Sequence, residues 1–373
     1  MKSFCKKLLI SSIIITSILS CSKDDGPSFL PEDLDQDGIV TEYEALVDLY
    51  TKNSENTLSW DISDTDISNW EGVTLNTETQ KVEILSLSNK GLSVLPSSIE
   101  TFTEMREFYF TSNPINKIPE EFWNLTKLRY VYFHNSNISI ISPKIEQLEN
   151  LEHFYFTQSK ITTLPESFAK LKTLQEIGLD NNPLAGFPQV IGELDNLIAL
   201  WMGDNPVKEI PENILSKLTK LEVLSLYNCQ LTSLPDDIYD MPSLTDLNID
   251  RNNLGSISSD IQKLTTLTAL HCDDINMTTL PVEIGYLVNL TNIQASDNQL
   301  TTIPAEIGNL DKLNYLAFRS NSITSIAPEI GNLTGLRYLD LTGNTNLTNL
   351  PQEVCNLQNS GVDLRLDDQT ICQ

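Results

Sequence analysis

The residues best suited to chemistry lie near the start of the chain, where Asp33, Asp35 and Asp37 alternate with other residues, Gly38 follows, and Glu44 comes one helical turn beyond Val40. Carboxylates at alternate positions converge on one point only if the backbone wraps around it, and a glycine permits the sharpest bend of that wrap. Oxygen donors so arranged suit a single hard cation, with the carbonyl of Ile39 and both oxygens of Glu44 completing the shell. The other reading of the same residues is an acidic helix cap that binds no ion. Elsewhere reactive chemistry is sparse. The three histidines, His134, His153 and His271, do not form a metal-ligand spacing, and the chain contains no HExxH, glycine-rich phosphate loop or nucleophile elbow. The chain is expected to be non-enzymatic.

The segment from Asp33 to Glu44 reproduces the twelve-position calcium loop of the EF-hand, with carboxylates at positions one, three and five, glycine at six, an aliphatic at eight and glutamate at twelve. No second loop pairs with it, and Pro31 leaves little room for an entering helix. It therefore resembles the single DxDxDG loops of secreted bacterial proteins, and the resemblance implies one structural calcium. Upstream, Lys2, Lys6 and Lys7 precede an apolar stretch from Leu8 to Leu19 that is too short for a stable membrane span. Residues 1–20 are thus expected to be a cleaved signal peptide. The run Ile18, Leu19, Ser20, Cys21 resembles a bacterial lipobox, which implies lipidation at Cys21 and membrane attachment through it. The following Ser22, Lys23, Asp24, Asp25 is similar to an acidic signal for the outer face of the outer membrane, so a surface-exposed protein on a polar tether, residues 21–32, is expected. A plain secretory signal, with Cys21 as an ordinary residue, is the alternative.

What positions everything else is a repeat. From Val82 to Leu336 an apolar pattern recurs every 23 or 24 residues through twelve full copies of LxxLxLxxNxLxxLPxxIxxL. The copies LTNIQASDNQLTTIPAEIGNL at Leu290 and LQEIGLDNNPLAGFPQVIGEL at Leu174 identify the chain as similar to the leucine-rich repeat family. In each copy the LxL pair places two apolar side chains on one face of a short strand. One repeat alone cannot bury that face, so stability comes from stacking neighbours. The expected fold is an α/β solenoid, a leucine-rich repeat horseshoe with a parallel concave sheet across residues 82–358, closed by caps at residues 33–81 and 359–373. The LPxxI segment begins an irregular or helical return on the convex side.

From Glu42 through Val73 the chain resembles the N-terminal cap of plant receptor-like repeat proteins, matched at Ala45, Leu46, Leu49, Tyr50, Trp60, Trp70, Gly72 and Val73 but without their cysteine pair. Both tryptophans are expected in the core. Of the cysteines beyond the leader, Cys229 fills an asparagine slot and Cys272 an inner LxL position, which suits small buried residues. Cys355 and Cys372 flank the final segment and are expected to form a disulfide in an oxidising compartment. A truncated strand, Val362, Leu364 and Leu366, is expected beneath that bridge.

Function is expected on the concave face. Its central column reads Ser86, Tyr109, Tyr132, Tyr155, Gly178, Trp201, Ser225, Asn248, His271, Gln294, Ala317, Asp340, and neighbouring columns add Tyr130, His134, His153 and Tyr227. Large aromatics that the core does not need are anchors for a partner; the bland alternative is that they stack only on one another. Asp180, Asp204, Asp250, Asp273, Asp274 and Asp297 follow the strands and are expected along one rim, either reading a basic patch, holding cations or simply solvated. With 24 basic against 51 acidic side chains and a net charge of −27, the chain is a poor match for phosphate backbones, and nucleic acid is excluded as partner. A protein ligand bound through Tyr109, Tyr132, Tyr155 and Trp201, with selectivity from His134, His153 and the aspartates, is the favoured reading. A glycan stacked on the same aromatics is the alternative, and a passive stalk is a third.

Overall fold

The computed structural model describes residues 33–372; the leader, the tether and Cys21 lie outside the described residues. The described residues divide into two compact units, 33–138 with Gln147–Leu151, and Ser139–Glu146 with 152–372.

The first unit opens on helix α1, Glu42–Thr51. Its start is set by a capping box, in which the Thr41 hydroxyl accepts the Glu44 amide while the Glu44 carboxylate accepts the Thr41 amide. Ala45, Leu46 and Leu49 are buried. Glu42 is buried as well, where one carboxylate oxygen accepts the Val82 amide at 3.0 Å and ties the helix to the first repeat. Trp60 and Trp70 stack at 4.9 Å and are both buried, with the Trp60 indole donating to the Glu71 carbonyl. Both therefore belong to the core. Strand β1 (Val73–Leu75) runs antiparallel to β2 (Val82–Ser86), and β3 (Glu107–Tyr109) and β4 (Tyr130–Tyr132) continue the sheet in parallel. Gly72 is required at that junction: its φ is +78°, and a Cβ there would sit 2.2 Å from the Ser86 carbonyl oxygen.

The second unit carries one strand per repeat: β5 (His153–Tyr155), β6 (Glu176–Gly178), β7 (Ala199–Trp201), β8 (Val223–Ser225), β9 (Asp246–Asn248), β10 (Ala269–His271), β11 (Asn292–Gln294), β12 (Tyr315–Ala317) and β13 (Tyr338–Asp340). They pair in chain order, all parallel, with partners 23 or 24 residues apart. The repeats return not through α-helix but through short 3-10 turns such as Ala305–Asn309, which follow a proline in most repeats. That residue brings the chain in with an extended backbone, and five residues are too few for a stable α-helical turn sequence.

Between repeats, buried asparagines close the turns. The Asn252 amide donates to the Leu226 carbonyl of the preceding repeat at 2.9 Å and to Ile249 at 2.8 Å, while its oxygen accepts the amides of Cys229 and Leu231. Cys229, in the asparagine slot, supplies part of the same bonding, since its thiol donates to the Met202 carbonyl at 3.2 Å. Burial pushes that thiol up to about 12, and Cys272 is likewise buried.

After β13 come β14 (Asn349–Leu350), helix α2 (Gln352–Asn359), β15 (Asp363–Arg365) and β16 (Ile371–Cys372). Strand β15 pairs in parallel with β13, and β16 pairs with β14. Cys355 on α2 and Cys372 on β16 form the expected disulfide, with 5.8 Å between Cα atoms. Of the apolar residues in and beside β15, Val362 is buried and Leu364 and Leu366 are half-buried. No helix among the described residues is long and apolar enough to cross a membrane.

Candidate interaction surface

Most three-residue strands of the repeats bury the central side chain and leave the two flanking ones partly exposed. The alternation follows from the strand's period of two, and it turns the first and third positions into columns on the open face of the sheet.

In the first unit Tyr109 and Tyr132 are register partners and their rings stack at 5.0 Å. The Tyr109 hydroxyl donates to Glu107 at 2.8 Å, and burial together with that bond raises its pKa well above the usual tyrosine range. Tyr130 lies beneath the Arg129 guanidinium at 5.5 Å, and His134 is half-buried just past β4.

In the second unit the same column reads Tyr155, Gly178, Trp201, Ser225 across β5 to β8. Gly178 decides the geometry. A Cβ on it would lie 2.3 Å from the Tyr155 ring, so the missing side chain lets Tyr155 lie flat across β6 toward Trp201, with ring centres 5.8 Å apart. The Tyr155 hydroxyl donates to Glu176 at 2.5 Å, and His153 Nδ1 stands 2.9 Å from the same carboxylate oxygen. A mirror of this arrangement occurs two repeats on. Tyr227 lies over Gly203, where a Cβ would come within 1.9 Å of its ring. Burial and the nearby Asp204 carboxylate raise the Tyr227 pKa above the ordinary range. Tyr155, Trp201 and Tyr227, all half-buried, make up the aromatic shelf of this unit: the first two rings are neighbours, and Tyr227 covers Gly203, two residues beyond Trp201.

The aspartate row is more structural than the sequence implies. Asp180 accepts the Gly203 amide at 2.8 Å, Asp250 the Asp273 amide at 2.7 Å, and Asp273 the Ser296 amide at 2.5 Å, each bridging to the following repeat. Burial is the chief reason that Asp180 and Asp273 are pushed up to about 6 and that Asp250 is raised. Asp274 and Asp297 are exposed and line one depression with Tyr227, Asn248, Asp250, Arg251 and Asp273.

At the head of the chain, carboxylate oxygens of Asp33, Asp35 and Asp37 lie within 4.8 Å of one another. Gly38 adopts φ +87°, as the wrap requires, and buried Asp33 accepts the amides of Asp37 and Gly38. Glu44 joins the loop differently: its two oxygens accept from the Leu34 amide and from Thr41. The side chain of Ile39 is exposed and only its carbonyl is available as a donor atom. Among the described residues the structure thus brings together the carboxylates of Asp33, Asp35 and Asp37, hard oxygen donors of the kind calcium takes, while both oxygens of Glu44 are engaged by backbone amides and the Thr41 hydroxyl.

Sequence reasoning missed three features of the sheet face. Glu176 holds both His153 and Tyr155, Gly203 makes room for Tyr227, and Tyr315 and Tyr338 stack at 4.6 Å in the first-position column. The last pair is visible in the sequence at the residue just before each LxL, Tyr315 before Leu316 and Tyr338 before Leu339.

Models of the leucine-rich repeat match residues 113–225, 220–241 and 288–347, together about half of the chain. The chain belongs to the leucine-rich repeat family. No curated protein sequence matches it. Among solved structures, a leucine-rich repeat protein of Leptospira interrogans is 24% identical, with TM-score 0.63 over 75% of this chain and 83% of that one. An internalin of Listeria monocytogenes is 20% identical, TM-score 0.63, over 80% and 90%. A plant peptide hormone receptor, solved in complex with RGF2, is 24% identical, TM-score 0.64, over 82% of this chain and 53% of that one, so the chain spans about half of that receptor. Likenesses at these identities establish the leucine-rich repeat solenoid fold and nothing finer.

Proposed function

We propose that this leucine-rich repeat protein is a non-enzymatic recognition protein that binds a protein partner through the open face of its sheet. The observation that carries the reading is the ring shelf: Tyr155 is held by Glu176 over bare Gly178, Trp201 stands against Tyr155, and Tyr227 covers bare Gly203, yet the core does not need them. Rings already fixed bury area on a partner without a large ordering cost. The plant receptor with the same fold was solved with a bound ligand, RGF2, which agrees with this use of the scaffold. The leader and the Ile18 to Cys21 run support display at the cell surface through a lipid on Cys21, and the Asp33 to Glu44 loop supports one structural calcium in the N-terminal cap.

The test is binding of labelled full-length protein to candidate cell surfaces, in millimolar calcium, before and after protease treatment. Loss of binding after protease identifies a protein ligand; binding that survives protease replaces this reading with capture of a glycan. Tyr132→Ala combined with Trp201→Ala is expected to weaken binding about tenfold or more, the loss of two aromatic anchors, with the unfolding midpoint nearly unchanged. Unaltered binding with a large fall in the midpoint would mean that the aromatics only stack on one another. For the anchor, Cys21→Ala is expected to move the protein from the membrane fraction to the soluble fraction.

A further inference from the structure

We infer that the shelf of Tyr155, Trp201 and Tyr227 receives a cationic side chain, the guanidinium or ammonium of a basic segment in the partner, an inference that rests on the protein-binding reading above. The faces of aromatic rings are electron-rich, and tryptophan attracts a cation most strongly. Here the Tyr155 and Tyr227 rings lie over Gly178 and Gly203, which carry no side chain to displace them, and the Trp201 ring stands 5.8 Å from Tyr155. Around them stand three carboxylates, Glu176 bonded to the Tyr155 hydroxyl, Asp204 bonded to the Asn228 amide at 2.6 Å and near enough to act on Tyr227, and Asp180 on the neighbouring turn. Asp180 and Asp204 are near enough for the charge of Asp204 to act on Asp180. The positive side chain whose field reaches Tyr227 is Arg251. A ring platform beside several acids is complementary to a planar or compact cation, which stacks on the rings while its N–H groups face carboxylates. The net charge of −27 further favours approach of a basic segment over an acidic one.

Each acid near the shelf also has a structural bond, which keeps it in place for the incoming charge. Glu176 fixes the Tyr155 ring, and Asp180 holds the Gly203 backbone beneath Tyr227. The shelf is therefore organised before a ligand arrives.

The experiment is selection of a displayed random peptide library on immobilised full-length protein, followed by synthesis of the strongest binders with and without Arg→citrulline and Lys→acetyl-lysine replacement. Selected peptides are expected to be enriched in Arg or Lys. Neutralising those residues is expected to weaken binding about tenfold or more, the scale of one desolvated cation–π contact with its ion pair. Trp201→Leu keeps an apolar side chain at a half-exposed position but removes the π face, and it is expected to cause a similar loss; Asp204→Asn is expected to weaken binding and its dependence on salt. Peptides without basic enrichment whose binding still falls with Trp201→Leu would overturn the cation assignment and leave the sheet-face reading standing. Peptides indifferent to both Trp201→Leu and the Tyr132→Ala, Trp201→Ala pair would overturn both.

Discussion

Asp180 shows how one side chain serves the fold and the site at once. Its carboxylate caps the Gly203 amide, and burial raises its pKa from 3.8 to about 6. Between those two values the folded protein holds a proton that the unfolded chain has released, so stability falls as pH rises through that window and the penalty is fully present above it. Asp180→Asn keeps an oxygen for the Gly203 amide and removes the charge. It is expected to stabilise the protein by about 1 kcal/mol at pH 7 and by nothing below pH 4, a gain smaller than the full shift because water still reaches the group. Chemical denaturation of both proteins at pH 7 and pH 4 measures this, and an equal effect at both values would contradict it. The sequence placed this aspartate correctly at a strand end, but a rim of acids looks the same in sequence whether its members face solvent or reach across to the next repeat. The same limit applied to Gly178, which stands in the central column with nothing in the sequence to say what lies against it. In the structure it is the reason that Tyr155 can lie flat.

At the scale of elements, the two caps make opposite use of the sequence. The C-terminal cap was legible because two cysteines flanking a final segment leave few pairings, and the Cys355–Cys372 bond closes a loop of 17 residues around β15. Such a loop contributes about 3 kcal/mol in the chain-entropy account. In a solenoid each repeat contacts mainly its neighbours, so the effect stays local. Cys372→Ser is expected to speed amide exchange in α2, β15 and β13 and leave β5 to β8 unchanged; uniform acceleration through the unit would refute the nearest-neighbour picture. The N-terminal loop was legible in its donors but not in its detail, because spacing cannot say which bonds a carboxylate already makes. Glu44 closes the capping box of α1 and also bonds the Leu34 amide, so an ion would tighten a loop already joined to the helix. Calcium is expected to stabilise the wild-type protein against unfolding, by about 2.7 kcal/mol at a hundredfold excess over Kd, and Asp35→Asn to abolish most of that gain. Asp35 suits the test because it is exposed and its one recorded bond, to the Asp37 amide, survives in asparagine. Calorimetry that finds no heat of calcium binding would remove the ion and leave the loop as an acidic cap.

The whole molecule adds up what the repeats do separately, and its acidity gives that sum a direction. Glu42, Asp180, Asp250 and Asp273 are all raised, chiefly by burial, so each becomes less unfavourable as pH falls, and for Asp180 and Asp273, pushed up to about 6, that change falls between pH 7 and 5. Acidification also reduces the self-repulsion of a chain carrying −27. Opposing this, Glu71, Asp66 and Asp363 are lowered by hydrogen bonds to Lys90, Ser68 and Arg365. Their contribution is present above the ordinary carboxylate range and is lost only as pH drops below about 4. The two sets titrate in different windows, so stability is expected to peak near pH 5 rather than at neutrality. The peak should flatten in high salt, where the repulsion between exposed acids is screened but the burial of Asp180 and Asp273 is not. Midpoints of urea unfolding across pH 4 to 8, at low and high salt, measure both effects. A maximum at or above pH 7 would mean that the buried inter-repeat aspartates are better compensated than their surroundings imply. The test also bears on binding: a partner cation beside Asp180 would relieve the same penalty, so stability gained on ligand binding should be larger at pH 7 than at pH 5.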